Sequence, residues 1–288
     1  LIFYQDFFSA TAINRWINLI FFGLTLALPL LLVCAYSIIK PEWITAGYVG
    51  TAYSLTERLL TESRIVWYYI LWILLPNNQS LGLFHDDIAL SHSFFDETLP
   101  IAAVLTHGLF IAILVFLWVK RKQPLLIFGC ALFYSSHLIE STIFPLELAH
   151  EHRNYLGSFG ILLALFSCLF SLGGKIKNPV RSCIVVYILI LALLTTQRAT
   201  DWGNGLESAL IEVAHHPRSS AAHFEAGRQY SSINGAKFQE KAYYHFKEAA
   251  ELDKTRGDAL FAIIAMESSN KRTLDPDVLK ELKYRLRT

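Results

Sequence analysis

The chain has 288 residues, 53% of them hydrophobic and only 17% charged, against about 25% charged in an ordinary soluble domain. Together with a mean hydropathy of +0.38 and apolar residues gathered into long runs, this excludes a water-soluble enzyme, a disordered chain and a collagen-like fibre. A formal charge of +1 leaves no basic surplus to attract nucleic acid.

The chain begins at Leu1 and its only methionine is Met266, so the simplest expectation is a part of a longer protein. From Trp16 to Ile39 no Asp, Glu, Lys or Arg occurs. A helix needs roughly 20 such residues to cross about 30 Å of hydrocarbon. On the same criterion five spans are expected, at residues 17–39, 98–119, 124–141, 156–173 and 181–197. A sixth apolar stretch, 65–75, is too short to cross. Its Trp67, Tyr68, Tyr69 and Trp72 favour the headgroup boundary, so it reads as an interfacial or re-entrant helix closed by Pro76. The four cysteines, Cys34, Cys130, Cys168 and Cys183, lie far apart in apolar segments, as expected for inert thiols rather than a disulfide or metal framework.

Orientation follows from two linkers. Lys120, Arg121 and Lys122 join the second and third spans, and Lys175, Lys177 and Arg181 join the fourth and fifth, with no acidic residue in either. Both are expected to face the cytoplasm by the positive-inside rule. Alternation then puts residues 40–97, 142–155 and everything after 198 together on the opposite side.

After Arg198 charged residues become frequent and apolar ones recur at helical spacing. The expected fold class is therefore all-α, with a polytopic membrane domain over 1–198 and a soluble tail over 199–288. Within the tail, Ala222 to Asp253 has the pattern of a tetratricopeptide repeat. Gly227 and Tyr230 supply a close contact and a large knob on one helix. Ala242, Phe246 and Ala249 pack back from the next. A generic helical hairpin would give a similar pattern.

The densest polar cluster is His150-Glu151-His152-Arg153-Asn154-Tyr155. The i, i+4 histidine pair of a zincin helix is absent, and no zinc site is assigned. Arg153 offers a planar fork for phosphate, flanked by His152 and Asn154; an ordinary solvated loop is the competing reading. His137 and Glu140 at the end of the third span share a helix face and are supporting candidates, because ionisable groups at membrane depth are costly. Glu140 in the headgroup zone would cost little. His107 is expected to be a hydrogen-bonded packing residue. In the long connection, Asp86 and Asp87 beside His85 form a possible acidic site for a divalent cation or a base; simple solvation is the alternative. Arg58 and Arg64 flank the aromatic helix and could meet lipid phosphate or merely anchor at the headgroups. No phosphate-binding glycine loop, dinucleotide fingerprint or nucleophile elbow occurs.

The run Glu57-Arg58-Leu59-Leu60-Thr61, the aromatic stretch closed by Pro76, and Leu81-Gly82-Leu83-Phe84-His85-Asp86-Asp87 resemble a luminal connection of the transmembrane and tetratricopeptide-repeat O-mannosyltransferases and their bacterial relatives. The stretch Pro145-Leu146-Glu147 to Glu151-His152-Arg153-Asn154-Tyr155-Leu156 resembles a further signature of the bacterial members. The resemblance covers about residues 40–260. It implies a membrane glycosyltransferase of the GT-C type in a bacterial inner membrane, moving sugar from a polyprenyl-phosphate donor to an extracytoplasmic protein or glycan, with the repeats presenting the acceptor or a protein partner. In that family the catalytic acidic residues and any metal-linked group lie early in the chain, and no counterpart is found here. The resemblance leaves Arg58, His152 and Arg153 as donor-phosphate residues, supported by His137, Glu140 and Asn154. A non-enzymatic, membrane-anchored scaffold for envelope proteins is the alternative; a transporter fits less well, since three spans carry almost no polar residue.

Overall fold

The computed structural model describes residues 20–21, 23–49, 51–171, 177–269 and 275–286, and every regular element among them is helical. The first helix, α1 (Gly23–Ile39), is followed by the short α2 (Glu42–Tyr48), bent from it by 85°. Pro41 causes the break, because it has no N–H to continue the ladder and pushes Lys40 out of helical geometry; Lys40 sits at φ −130°, ψ 71°. No described residue from Leu28 to Ile39 is buried, as suits a helix whose whole surface meets lipid.

The next helix, α3 (Leu55–Leu74), starts in a capping box. The Ser54 hydroxyl accepts the Glu57 N–H at 3.3 Å, and the Glu57 carboxylate accepts the Ser54 N–H at 2.7 Å, satisfying two orphan donors of the first turn. The expected interfacial stretch 65–75 is thus the second half of a 20-residue helix. Then come α4 (Pro100–Val119), α5 (Pro124–Ser136), a 3-10 turn (Glu151–Arg153), α6 (Asn154–Ser171) and α7 (Lys177–Asp201). Proline opens both α4 and α5, where its missing N–H costs nothing.

Three helical stretches among the described residues are long and apolar enough to cross a bilayer: Pro100–Val119, Glu151–Ser171 and Asn178–Asp201, or four if the bent pair α1–α2 counts as one. The expected span 124–141 differs. Its helix, α5, has only 13 residues, or about 20 Å at 1.5 Å per residue, and from His137 the backbone leaves the helix for a series of turns. Residues 17–19, 22 and 172–173 of the expected spans, and Lys175 of the second basic linker, lie outside the described residues.

The end of the bundle that carries α3 organises the molecule. Ile65, Val66, Tyr69 and Ile70 of α3 form a core with Phe133 of α5, Ala149 of the connection after α5, and Ile161 of α6. Trp67 stacks on His107 of α4 and donates its indole N–H to the Ala103 carbonyl at 3.3 Å. His107 itself donates Nε2–H to the Ser63 carbonyl at 2.9 Å and accepts from the Tyr134 hydroxyl at 2.8 Å. Near the other end of α3, the Tyr187 hydroxyl of α7 donates to the Leu74 carbonyl at 3.0 Å. So α3 touches α4, α5, α6 and α7 in turn. Glycines set the α5–α6 pair: a Cβ on Gly160 would collide with the Gly129 carbonyl, and one on Gly157 would lie 2.8 Å from the His137 ring.

The tail comprises α8 (Gly205–His215), α9 (Ser220–Ser231), α10 (Ala236–Leu252), α11 (Asp258–Ser269) and α12 (Pro276–Arg285). Asn204 and Ser219 cap α8 and α9. Gly227 of α9 takes the Phe246 ring of α10 where a Cβ would sit at 2.7 Å. Tyr230, Ala242, Phe246, Ala249, Leu260, Ile263 and Leu282 make the tail core. The buried Arg285 donates to the carbonyls of Ala250, Asp253 and Arg256 at 2.8–2.9 Å and so ties α12 to the end of α10.

Candidate functional site

The turns after α5, residues 137–147, carry the first cluster. Non-helical backbone at membrane depth needs internal partners, because lipid offers none. Those partners come from the end of α2, from the connection before α3 and from α3 itself. Tyr48 donates to the Ile143 carbonyl at 2.8 Å, and Tyr53 to the Leu146 carbonyl at 2.7 Å. Arg58 donates Nη2–H to the Glu140 carbonyl at 2.6 Å, Nε–H to the Thr142 carbonyl at 3.0 Å, and Nη1–H to the Leu146 carbonyl. Arg58 is fully buried, with Glu62 one turn on at 2.9 Å. The expected phosphate contact by Arg58 therefore finds no free fork here: the guanidinium is a structural clamp on an irregular turn. Burial pushes the Glu62 carboxyl up to about 7 despite the Arg58 charge. Neither Glu62 oxygen has an aligned hydrogen bond, so the pair is held by charge rather than by a well-directed bond.

The clamped turn presents Glu140, whose carboxylate pairs with Arg153 Nε at 3.3 Å. Arg153 also donates to the Glu147 carbonyl at 2.6 Å, and its side chain is 5% exposed. His137 is buried, with Nδ1 at 2.9 Å from the Phe133 carbonyl and Nε2 at 3.2 Å from Asn154 Oδ1. Its ring also packs on Tyr69, 5.0 Å away. The Tyr69 hydroxyl accepts the His150 N–H at 3.0 Å, and His150 bonds Glu147 and packs its ring at a tilt against His152. His152 is exposed, beside Tyr155 (88% exposed) and Leu156.

Five of the residues singled out in the sequence (Arg58, His137, Glu140, Arg153 and Asn154) thus form one network, and His152 stands at its edge as the outward-facing member. Asp86 and Asp87 do not join it. They meet the tail. Asp86 accepts the Ser219 hydroxyl and the Ala221 N–H (3.0 Å) at the start of α9, and Asp87 lies 3.2 Å from His216 Nδ1. The expectation of a solvated or cation-binding pair gives way to intramolecular partners more than 120 residues away in the chain. No group of three or more His, Cys, Asp or Glu among the described residues is arranged to hold a metal ion.

The 3-10 turn joins the two regions. Arg153 points into the first network, while Glu151 pairs with Arg198 of α7 at 2.7 Å and lies 3.6 Å from His85. Sequence reasoning missed Tyr48, Tyr53, Glu62 and Tyr69 in the first region and Glu212 and His216 in the second. A signal existed for Glu62, which follows Arg58 at i+4 on an otherwise apolar helix face; the tyrosines had none, because their hydrogen-bond partners lie 81–95 residues distant.

No protein-family model, no curated protein and no solved structure matches this chain.

Proposed function

We propose that this chain is part of a polytopic membrane glycosyltransferase of the GT-C type, taking sugar from a polyprenyl-phosphate carrier, with its helical tail and the 40–97 connection on the extracytoplasmic side. One observation carries the reading. The 3-10 turn and the start of α6 set an exposed histidine, His152, beside a nearly buried arginine and next to exposed Tyr155 and Leu156. A cation-capable donor beside an amphipathic ring suits an anionic headgroup whose chain remains in lipid. There His152 contacts phosphate. Arg153, fixed by Glu140 and the Glu147 carbonyl, adds charge that stabilises the departing phosphate. Arg58, Glu62, His137 and Asn154 act through the backbone and Arg153 rather than on the donor.

The tail is proposed as a tetratricopeptide-like unit that presents the acceptor. Support comes from Gly227 seated on Phe246 and from the small-large alternation of Ala242, Phe246 and Ala249. The catalytic base is not assigned to any residue here.

The test uses the full-length protein in liposomes with a polyprenyl-phosphate hexose and an acceptor peptide. His152→Ala is expected to raise the KM for the donor at least tenfold, and Arg153→Ala to lower kcat/KM further, with insertion and folding intact. Undiminished transfer in both variants removes the proposed donor site. Absence of transfer by the wild-type protein, with envelope proteins captured through the tail, would favour the scaffold instead.

A further inference from the structure

The tail does not hang free. Loop residues 81–87 grip the corner between α8 and α9, and the grip is made of charge. Leu83 donates its backbone N–H to Glu212 Oε2 at 2.9 Å, Ala221 donates its N–H to Asp86 at 3.0 Å, and His216 faces both oxygens of Asp87 at 3.2 Å. Behind the loop, His85 stacks on Trp72 of α3 at 4.7 Å and meets the His216 ring edge-on at 5.2 Å. The fit leaves no slack: a Cβ on Gly82 would lie 2.7 Å from Glu212 Oε2 and 2.8 Å from His216 Nε2.

We propose that loop 81–87 is a pH-responsive clasp, which holds the helical tail against the membrane domain while His216 is protonated and loosens when that proton is lost. The inference is independent of what the protein transfers. Its centre is the contact of a buried histidine with a partly buried carboxylate, where the pair is screened less than at an open surface. Asp86 and Asp87 face His216 from the loop, and Glu212 faces it from its own helix. Nearby His85 comes from the loop and Glu151 from the 3-10 turn, with Arg198 neutralising Glu151. His215 lines an adjoining small cavity with Arg198, Asp201 and Glu212. Acids thus outnumber cations around His216, so a proton there completes the charge balance. Loss of the proton leaves Asp86, Asp87 and Glu212 crowded around a neutral ring.

The sign follows from both partners. The bond to Asp87 holds His216 above its ordinary value of 6.5. Burial works against Asp87, but the His216 bond and charge keep it below its ordinary 3.8. The His216 contribution is complete below pH 6.5 and fades as pH rises through its raised value; the Asp87 contribution is complete above pH 3.8.

Hydrogen–deuterium exchange on the full chain in lipid nanodiscs reads the clasp directly, because the Leu83 and Ala221 amides close it. Protection of these two amides, corrected for intrinsic exchange, is expected to fall about tenfold between roughly pH 6 and pH 9. Amides inside α10 and α11 should keep theirs, showing that the tail stays folded. His216→Gln and Asp87→Asn should each give the low, pH-independent protection at both ends. Equal protection of the wild-type Leu83 and Ala221 amides at the two pH values overturns the proposal, as does a pH step that survives in a folded His216→Gln protein.

Discussion

At the scale of single residues, the charged groups of the membrane domain divide into those consumed by the fold and those left to act. Arg58 belongs to the first kind. Removing it strands Glu62 in the interior and orphans the carbonyls of Glu140, Thr142 and Leu146. Breaking a buried pair from one side costs about 3–5 kcal/mol. Arg58→Met is therefore expected to lower thermal stability in detergent by that amount. Adding Glu62→Leu should recover only part of it, since the carbonyls remain unpaired. A double variant as stable as wild type would show that the ion pair, not the backbone clamp, was what Arg58 supplied. An arginine's identity was legible in the sequence, but not its employment, because every carbonyl it serves lies more than 80 residues further along the chain.

At the scale of elements, apolar run length served well where a helix is regular and failed where side chains replace the ladder. The α4, α6 and α7 helices follow the charge-free runs closely. The α5 segment breaks off at Ser136 because Arg58, Tyr48 and Tyr53 offer the turn after it an alternative set of donors. Close helix packing was likewise invisible in composition. Gly129 and Gly160 bring the backbones of α5 and α6 together, as small residues do wherever membrane helices cannot rely on a hydrophobic driving force. Gly160→Leu forces them apart and is expected to cost about 1–3 kcal/mol, seen as a lower melting temperature of the solubilised protein. An unchanged melting temperature would mean that this pair separates without consequence.

At the scale of the whole molecule, one end of the bundle gathers three connections that are remote in sequence. Glu151 pairs with Arg198, the 81–87 loop meets α8 and α9, and α3 touches α4 through α7. From the two basic linkers the expectation is that these connections share a side. Cysteines placed at Gln79 and Lys247 are therefore expected to react with an impermeant thiol reagent from the same side of the membrane, and one at Lys122 only from the other. Opposite reactivity of Gln79 and Lys247 would end the proposed arrangement. The tail also carries an acid-sensitive point. Burial, aided by His223, lowers His245 to about 4, so its neutral form is favoured in the fold. Stability of the tail should be full above pH 6.5 and decline as pH falls from there toward 4, which a melting series of the full chain would reveal. His245→Phe should flatten that decline.

The sequence alone determined a helical chain with segments long and apolar enough to span a membrane, followed by a polar helical tail, because crossing lipid demands charge-free length and a packed hairpin demands small residues opposite large ones, both local properties of the chain. Only the tertiary structure decided what the charged residues do. A guanidinium or carboxylate is free or spent according to the groups that approach it in space, and here those groups arrive from segments far along the chain.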